Sequence, residues 1–190
     1  MDSPLVNPPS KPENRTLLLD EKEIQASIEQ IAKAILQQHA PSEKIILVGI
    51  PTRGVEVARR IISQILQTTG LNLELGILDI SMHRDDLATR IRMTALEMTH
   101  LPVTIENRTI ILVDDVLFTG RSVRAAMDAI SSYGRPGRIE LAVLIDRGNR
   151  QLPIAANYTG KIVTTLFEEK IRVRFQNLDD QPDSVSLIQP

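Results

Sequence analysis

Residues 110–122 read IILVDDVLFTGRS, and this stretch indicates the fold more clearly than any other part of the chain. Four apolar residues run into Asp114 and Asp115, and a second apolar group is followed by Thr119 and Gly120. A short apolar run of this kind is typical of a strand buried on both faces of a parallel sheet. The two carboxylates therefore lie at the carboxyl end of a strand, where open α/β sheets bind their ligands.

Strands and helices alternate along much of the remaining chain. Asp20 and Glu23 have the spacing of a capping box, and apolar residues then recur at helical spacing to about residue 38. Further strands are predicted over 44–50, 71–80, 109–113, 138–145 and 170–175, and further helices after residues 51–54 and over 122–133. This order predicts the α/β class, with a central, mostly parallel sheet flanked by helices.

The chain length fits one folded domain. Its 190 residues, 42% of them hydrophobic, suffice for one well-formed core. Prolines and polar residues predict a disordered tail over 1–15, so the domain is expected over 16–178, with a loose carboxyl-terminal tail over 179–190. The polar and weakly periodic segment 81–108 is too long for an ordinary connection and predicts a flexible loop.

Composition excludes several classes of protein. The absence of cysteine removes disulfide scaffolds and thiolate metal sites. No apolar run approaches the ~18 residues of a membrane helix, and the first residues lack the pattern of a secretory signal. A net charge of −2 argues against a protein that binds nucleic acid by charge alone. We therefore expect a cytoplasmic protein with no membrane partner.

The turn after the apolar run has the features of a phosphate site. The start of a helix offers unpaired backbone N–H groups and the positive end of the helix dipole. Hydroxyls, a glycine that allows close approach and a guanidinium lie in the same turn. The residues predicted to bind phosphate are Val116, Leu117, Phe118, Thr119, Gly120, Arg121 and Ser122.

Asp114 and Asp115 need a separate explanation, because carboxylates would repel that phosphate. Two vicinal ribose hydroxyls can donate hydrogen bonds to adjacent carboxylates, and a magnesium ion or a cationic sugar would also be favoured there. A phosphate at one end and a diol at the other describe a ribose 5-phosphate. The alternative is an ordinary strand–turn–helix in which Asp115 only caps, but the whole ordered set favours the sugar.

The stretch IILVDDVLFTGRS resembles the phosphoribosyl pyrophosphate (PRPP) motif of the type I phosphoribosyltransferases. GIPTRG, DISMHRDD, YGRP and LAVLIDRG stand in the order found in the pyrimidine-operon regulatory (PyrR) family, and the similarity covers about residues 16 to 175. The resemblance implies the type I phosphoribosyltransferase fold, with a small hood and a flexible loop. It also implies magnesium-dependent formation of UMP from uracil and PRPP, and regulation of pyrimidine genes by transcriptional attenuation.

The loop Pro51, Thr52, Arg53 and Gly54 is the predicted pyrophosphate site, since it follows a strand and opens a helix. Type I enzymes commonly have a cis peptide bond in this loop before a non-proline residue, and the matching residue here looks to be Pro51. A cis bond before proline costs only ~0.5–1 kcal/mol. We therefore predict that the Ile50–Pro51 bond is cis.

The resemblance assigns further roles. Arg84, in the flexible loop, is expected to contact the leaving pyrophosphate and help exclude water, which makes it catalytic together with Asp114 and Asp115. Asp146 and Arg147 face the base, and Asp146 joins the two aspartates around magnesium, indirectly through water. For Asp146, a turn that satisfies its own carboxylate is an equally good interpretation. The sequence indicates no general base, because uracil is already fairly acidic and positioning matters more.

The predicted partners are PRPP, uracil, UMP and the leader mRNA of a pyrimidine operon, and the chain is expected to form a homodimer or a higher homo-oligomer. The candidate RNA-binding residues are Lys33, Arg135, Arg138, Arg150 and Lys161, with Arg172 and Arg174 also considered. Two features oppose RNA binding. Residues 20–36 carry more acidic than basic side chains, and Asn149 stands where the family often has histidine.

Two alternatives remain open from the sequence. One is a regulator that binds UMP, PRPP and RNA without useful catalysis. The other is a phosphoribosyltransferase that acts on a purine or on orotate and has no role with RNA. Base contacts in such sites are often made by backbone atoms, so the sequence does not decide between the bases.

Overall fold

The computed structural model describes residues 14–81, 99–101 and 104–190 of the chain. The elements in chain order are β1 (Arg15–Leu19), α1 (Glu21–Gln38), β2 (Ile45–Gly49), α2 (Arg53–Thr69), β3 (Glu74–Ile77), β4 (Thr109–Leu117), α3 (Arg121–Ser131), β5 (Arg138–Asp146), β6 (Tyr158–Ile162), β7 (Lys170–Arg174), α4 (Gln176–Asp179) and β8 (Ser184–Ile188). None of the helices in this part of the chain has the length and apolarity that a membrane span requires.

In the described part of the chain, five strands form the central sheet in the order β3–β2–β4–β5–β6, and every neighbouring pair is parallel. The predicted mostly parallel sheet is therefore confirmed. Side chains alternate between its two faces, as in any strand. Ile111 and Val113 of β4 pack with α1 and α2, whereas Ile110 and Leu112 pack with α3 on the opposite face. Because both faces are covered, the strands are continuously apolar rather than alternating.

The first helix begins as its sequence predicts. Asp20 accepts a hydrogen bond from the Glu23 N–H, and the Glu23 carboxylate accepts one from the Asp20 N–H, each at 2.9 Å. Ile24, Ile28 and Ile31 lie on its buried face. This reciprocal cap satisfies two of the N–H groups that a helix start leaves unpaired. The capping box and the helical periodicity are both confirmed.

A second, three-stranded antiparallel sheet in the order β1–β8–β7 forms the hood that the resemblance implies. Residues 179–190 were predicted to be a loose tail, and that prediction is wrong. Segment 184–188 pairs with both other strands of the hood, and Val185 is fully buried. Arg15 likewise belongs to β1 rather than to a tail, and the rest of the predicted amino-terminal tail, 1–13, lies outside the described residues.

The predicted boundaries around the site also change. β4 continues through nine residues to Leu117, past the predicted end at Val113, because its carboxyl half still pairs with β5, Asp114 opposite Val143. Both aspartates therefore belong to the strand. Most of the predicted flexible loop, 82–98, lies outside the described residues, and His100 pairs with Ile77 through an isolated bridge.

A buried polar cluster lies at the amino-terminal edge of the sheet, opposite the ligand edge. His39 Nε2 lies 2.9 Å from Glu140 Oε2 and 3.0 Å from the Tyr158 hydroxyl, and that hydroxyl donates to Glu140 at 2.6 Å. On its other side, His39 Nδ1 lies 2.9 Å from Glu43 Oε2. Burial alone would raise the pKa of Glu140, but hydrogen bonds from Tyr158 and His39 outweigh it and hold the pKa below its ordinary value.

We expect Tyr158→Phe to lower the free energy of unfolding by about 1–3 kcal/mol, because Glu140 loses a donor while it stays buried. The loss should be full above pH 4.5, the ordinary pKa of a glutamate, and should shrink as Glu140 is protonated below it. Urea unfolding at several pH values measures both effects. Tyr133→Phe is the matched control, since Tyr133 is exposed. Equal effects of the two substitutions would contradict the prediction.

Candidate functional site

The loop of residues 51–54 lies directly beside the two aspartates. The Ile50 N–H donates to the Val113 carbonyl at 2.9 Å, which extends the pairing of β2 with β4 to the end of β2. A Cβ on Gly54 would lie only 2.4 Å from that same carbonyl oxygen, so no larger residue fits there. The close approach brings the start of α2 against β4 immediately before Asp114 and Asp115. The structure thus brings together two of the predicted subsites.

The cis peptide bond in this loop is Pro51–Thr52. The prediction that Ile50–Pro51 is cis was therefore wrong by one residue. The low cost of a cis bond before proline is a local preference, and it does not determine which bond of a folded loop is cis. Thr52 precedes α2 and caps it without a side-chain hydrogen bond.

Asp114 and Asp115 are half-buried neighbours in β4. The Asp115 N–H donates to Asp114 Oδ1 at 2.9 Å. Burial raises the pKa of Asp115 above its ordinary value, and the positive charge of Arg53 opposes that rise. A cation bound beside these oxygens would favour the charged form, so the pair is suited to a metal ion or a cationic sugar.

The predicted phosphate loop ends at the start of α3. Gly120 precedes that helix with φ at +91°, a left-handed conformation that glycine adopts without a steric penalty. The segment that follows β5 supports this loop. The Thr119 carbonyl accepts hydrogen bonds from the N–H groups of Gln151 and Leu152, each at 3.1 Å. A helix start reached through glycine is the arrangement that binds phosphate in other folds.

Arg150 holds this supporting segment in place through hydrogen bonds to protein atoms. Its guanidinium donates to the carbonyls of Phe118, Gly148 and Ile154 at 2.8–3.0 Å. It also forms an ion pair with Asp146 at 2.5 Å. These bonds use most of its donors within the chain, and RNA binding by Arg150 stays a prediction.

Asp146 is also satisfied within the protein. Besides the ion pair with Arg150, it accepts a hydrogen bond from the Gly148 N–H at 3.0 Å. This geometry fits the alternative interpretation, a turn that satisfies its own aspartate. In the described part of the chain, no group of three His, Cys, Asp or Glu side chains is arranged to hold a metal ion. The magnesium shell therefore stays a prediction.

Arg147 is buried and binds protein atoms with its guanidinium. Its Nε donates to the Thr165 hydroxyl at 3.0 Å and its Nη2 to the Leu166 carbonyl at 2.8 Å, and its guanidinium carbon lies 3.9 Å from the centre of the Phe118 ring. Burial lowers the pKa of Arg147. Arg147 therefore shapes the predicted base side indirectly, by fixing the segment 165–167 against the phosphate loop.

Two parts of the site were not predicted. One is Phe167, which is half exposed and packs its ring 5.2 Å from that of Phe118. The other is a cavity of about 350 Å³ between the hood and the sheet. Its lining residues are Arg53, Asp115, Ile171, Arg172, Val173, Arg174 and Asp179. In the sequence, the one signal of this cavity is the alternation of arginines in KIRVR, residues 170–174. That pattern does not indicate what the arginines contact.

The other candidate RNA residues differ in what they contact. Lys33, Arg135 and Arg138 are exposed, although Arg138 also lies 3.2 Å from the Glu140 carboxylate. Lys161 is half-buried, and its ammonium donates to the Leu18 carbonyl of the hood at 3.1 Å. Lys161 thus links the two sheets. The predicted catalytic residue Arg84 lies outside the described residues.

Comparison with known proteins shows the family of the chain. The model of the phosphoribosyl transferase domain family matches residues 15–173. A protein of Chloroflexus aurantiacus named "Bifunctional protein PyrR" is 45% identical over 174 residues, covering 92% of this chain and 96% of that protein. A protein of Elusimicrobium minutum with the same name is 42% identical over 172 residues, covering 90% and 96%.

Solved structures agree on the fold. A hypoxanthine phosphoribosyltransferase from Staphylococcus aureus superposes with a TM-score of 0.68 at 19% identity, covering 92% of this chain and 93% of that one. A hypoxanthine phosphoribosyltransferase from Trypanosoma cruzi gives a TM-score of 0.70 at 14% identity, covering 96% and 95%. At these identities the similarity concerns the architecture alone.

We expect Arg147→Lys to lower the free energy of unfolding by about 1–3 kcal/mol, because lysine replaces a planar guanidinium that stacks on Phe118 and binds two partners. Thermal unfolding measures the change. Arg138→Lys is the control, since the Arg138 side chain is 56% exposed. A loss no greater than that of the control would show that the Arg147 contacts contribute little.

Proposed function

Since the chain belongs to the phosphoribosyltransferase family and, within it, to the bifunctional PyrR proteins, we propose that it converts uracil and PRPP to UMP and diphosphate. We propose in addition that it regulates pyrimidine biosynthesis genes by binding RNA in response to UMP. The observation that carries the proposal is the arrangement around β4. Two adjacent carboxylates lie near the carboxyl end of β4, a helix start preceded by glycine follows the strand, and the loop 51–54 packs beside them.

In this proposal the 5-phosphate of the sugar lies at the start of α3. It accepts hydrogen bonds from backbone N–H groups of the loop 116–122 and from the side chains of Thr119, Arg121 and Ser122. The ribose hydroxyls donate to Asp114 and Asp115. Because residues 151 and 152 support the loop through the Thr119 carbonyl, the phosphate end of the sugar would meet preformed structure. Preformed contacts of this kind reduce the entropy lost on binding.

The pyrophosphate group of PRPP lies at the loop of Pro51, Thr52, Arg53 and Gly54. Magnesium would be held indirectly by Asp114 and Asp115, with Asp146 as a further candidate, and when bound it would neutralise charge on the leaving diphosphate. The side chains fit this ion, since carboxylate oxygens are its preferred ligands and Asp114 and Asp115 are adjacent in β4. Arg84, from the long loop, would add charge on the same side.

Chemistry at this site depends on position rather than on a strong base. The uracil ring nitrogen loses its proton to solvent and attacks the anomeric carbon as the bond to pyrophosphate breaks, diphosphate leaves, and positive charge develops on the sugar in the transition state. The carboxylates of Asp114 and Asp115 stabilise that charge, and the phosphate loop fixes the carbon relative to the base. The base would lie on the side of Asp146 and Arg147, which shape that side through the turn 146–150 and the segment 165–167.

For the regulatory role we propose a surface that includes Lys33, Arg135 and Arg138. Proteins that recognise an RNA sequence bind mainly to single-stranded loops and bulges, and their cationic side chains contact the phosphates. UMP in the site would favour binding, so that abundant pyrimidine reduces expression of the genes. We propose further that the protein acts in the cytoplasm as a homodimer or a higher homo-oligomer.

Asp115→Asn tests the enzyme. We expect the rate of UMP formation from uracil and PRPP to fall by about two orders of magnitude or more, because charge on the sugar loses one of its carboxylates. Asp128→Asn is the control, since Asp128 lies on the exposed side of α3 and pairs only with Arg124 among the contacts described. If wild-type protein turns over another base but not uracil, the substrate proposal is wrong. If it turns over no base, only the regulator remains.

Filter binding to a pyrimidine-operon leader RNA, with and without UMP, tests the regulator. We expect UMP to tighten binding, and Lys33→Gln combined with Arg138→Gln to weaken it by about tenfold at constant salt. An unrelated RNA of equal length controls for attraction by charge alone. Equal affinity for both RNAs, or no effect of UMP, would contradict the regulatory role.

A further inference from the structure

Polar side chains in the first turns of α2 contact the carboxyl-terminal corner of the hood, which is the segment 173–183. Arg53, Glu56 and Arg60 lie at helical spacing on one side of α2. Arg60 donates to Glu56 at 2.7 Å, forms a second ion pair with Asp183, and lies 4.4 Å from the centre of the Phe175 ring. Ion pairs between specific side chains therefore join the hood to α2, the helix that begins at the predicted pyrophosphate loop.

Arg53 is the member of this group that reaches the site. Its Nε donates to the Val173 carbonyl at 2.8 Å, and its Nη2 donates to Asp179 Oδ1 at 2.5 Å. The other carboxylate oxygen of Asp179 accepts from the Phe175 N–H at 3.0 Å, so Asp179 is itself held by the backbone of the hood. Two contacts from one rigid corner thus define where the guanidinium lies.

The same corner lines the cavity of about 350 Å³ that also contains Asp115. Three arginines, 53, 172 and 174, and two aspartates, 115 and 179, line it. The arginines outnumber the aspartates, so the cavity favours an anion. A guanidinium has five N–H donors, and the two contacts of Arg53 leave others for a ligand.

We propose that Asp179 is a positioning residue for diphosphate binding: together with the Val173 carbonyl, it holds the Arg53 guanidinium in place for the diphosphate of PRPP. This inference rests on the proposed function and extends it to a residue of the hood, outside both loops of the site. A guanidinium that is already fixed loses less side-chain entropy when it binds oxygen atoms of a phosphate. Asp179 itself does not touch the diphosphate.

The opposite role is also physically reasonable, and it predicts the opposite sign. A carboxylate that merely competes with diphosphate for Arg53 would tighten PRPP binding when it is removed. The two firm attachments of Asp179, to Arg53 and to the Phe175 N–H, favour positioning, because a competitor must be able to leave. The sign of the change therefore separates the two roles.

Titration calorimetry with PRPP and magnesium, and separately with UMP, tests the inference. We expect Asp179→Ala to weaken PRPP binding by about tenfold, which corresponds to ~1.4 kcal/mol. UMP affinity should change by less than twofold, because UMP has no diphosphate. The matched control is Asp180→Asn: Asp180 is the adjacent carboxylate, it is exposed, and its left-handed backbone suits asparagine.

A double-mutant cycle separates positioning from a general structural role. In an Arg53→Ala background we expect Asp179→Ala to have no further effect on PRPP affinity, since it acts only through Arg53. Should Asp179→Ala unfold the hood, Asp179→Asn, which keeps one acceptor oxygen, is expected to give a smaller loss in the same direction.

Five outcomes overturn the inference. Tighter PRPP binding would make Asp179 a competitor, and unchanged binding would leave it without a role in the site. A parallel loss of UMP affinity, or an undiminished effect in the Arg53→Ala background, would assign it to the stability of the hood. If wild-type protein binds neither PRPP nor UMP, the proposed function fails and this inference fails with it. If wild-type protein binds both, the variants decide on the inference alone.

Discussion

The pairing of β4 between β2 and β5 is the constraint on which the rest of the molecule depends. All three strands are parallel, so their carboxyl ends lie at one edge. Parallel strands need crossover helices, and these cover both faces of the sheet with apolar side chains. Val113 pairs with Gly49, and the Ile50 N–H donates to the Val113 carbonyl. These two contacts bring the loop 51–54 beside Asp114. Without this register the two loops would not share a site.

The loops of the site are held mainly by cationic side chains that bind other atoms of the protein. Arg150 ties the turn after β5 to the phosphate loop, Arg147 ties segment 165–167 to Phe118, and Lys161 ties β6 to β1. Each donates to carbonyl oxygens that lie outside regular pairing. Carbonyl groups outside regular helix and strand pairing need partners of this kind or water, since leaving them unpaired costs free energy. A sequence rich in arginine near its site therefore need not present those arginines to a ligand.

Much of the fold was predictable because its signals are local. The capping box of Asp20 and Glu23, the apolar strands 45–49 and 109–113, and the glycine before α3 each act within a few residues. Segment 184–188 shows the limit of this reasoning. It forms a strand because β1 and β7 flank it, and β1 comes from the opposite end of the chain. A five-residue strand contributes too little by itself for its sequence to reveal it.

By itself the sequence determined the α/β class, the order of the main elements and the glycine turn that joins β4 to α3, because those depend on hydrophobic period and on residue type at a turn. Only the tertiary structure decided which bond in the loop 50–54 is cis, that Arg147 and Arg150 bind carbonyl groups, and that Asp179 meets Arg53. The contacts of Arg147, Arg150 and Asp179 join segments as many as 126 residues apart, and the type of a side chain does not encode a distant partner. The physical reason is that a charged side chain looks the same in sequence whether solvent, a ligand or a buried carbonyl satisfies it.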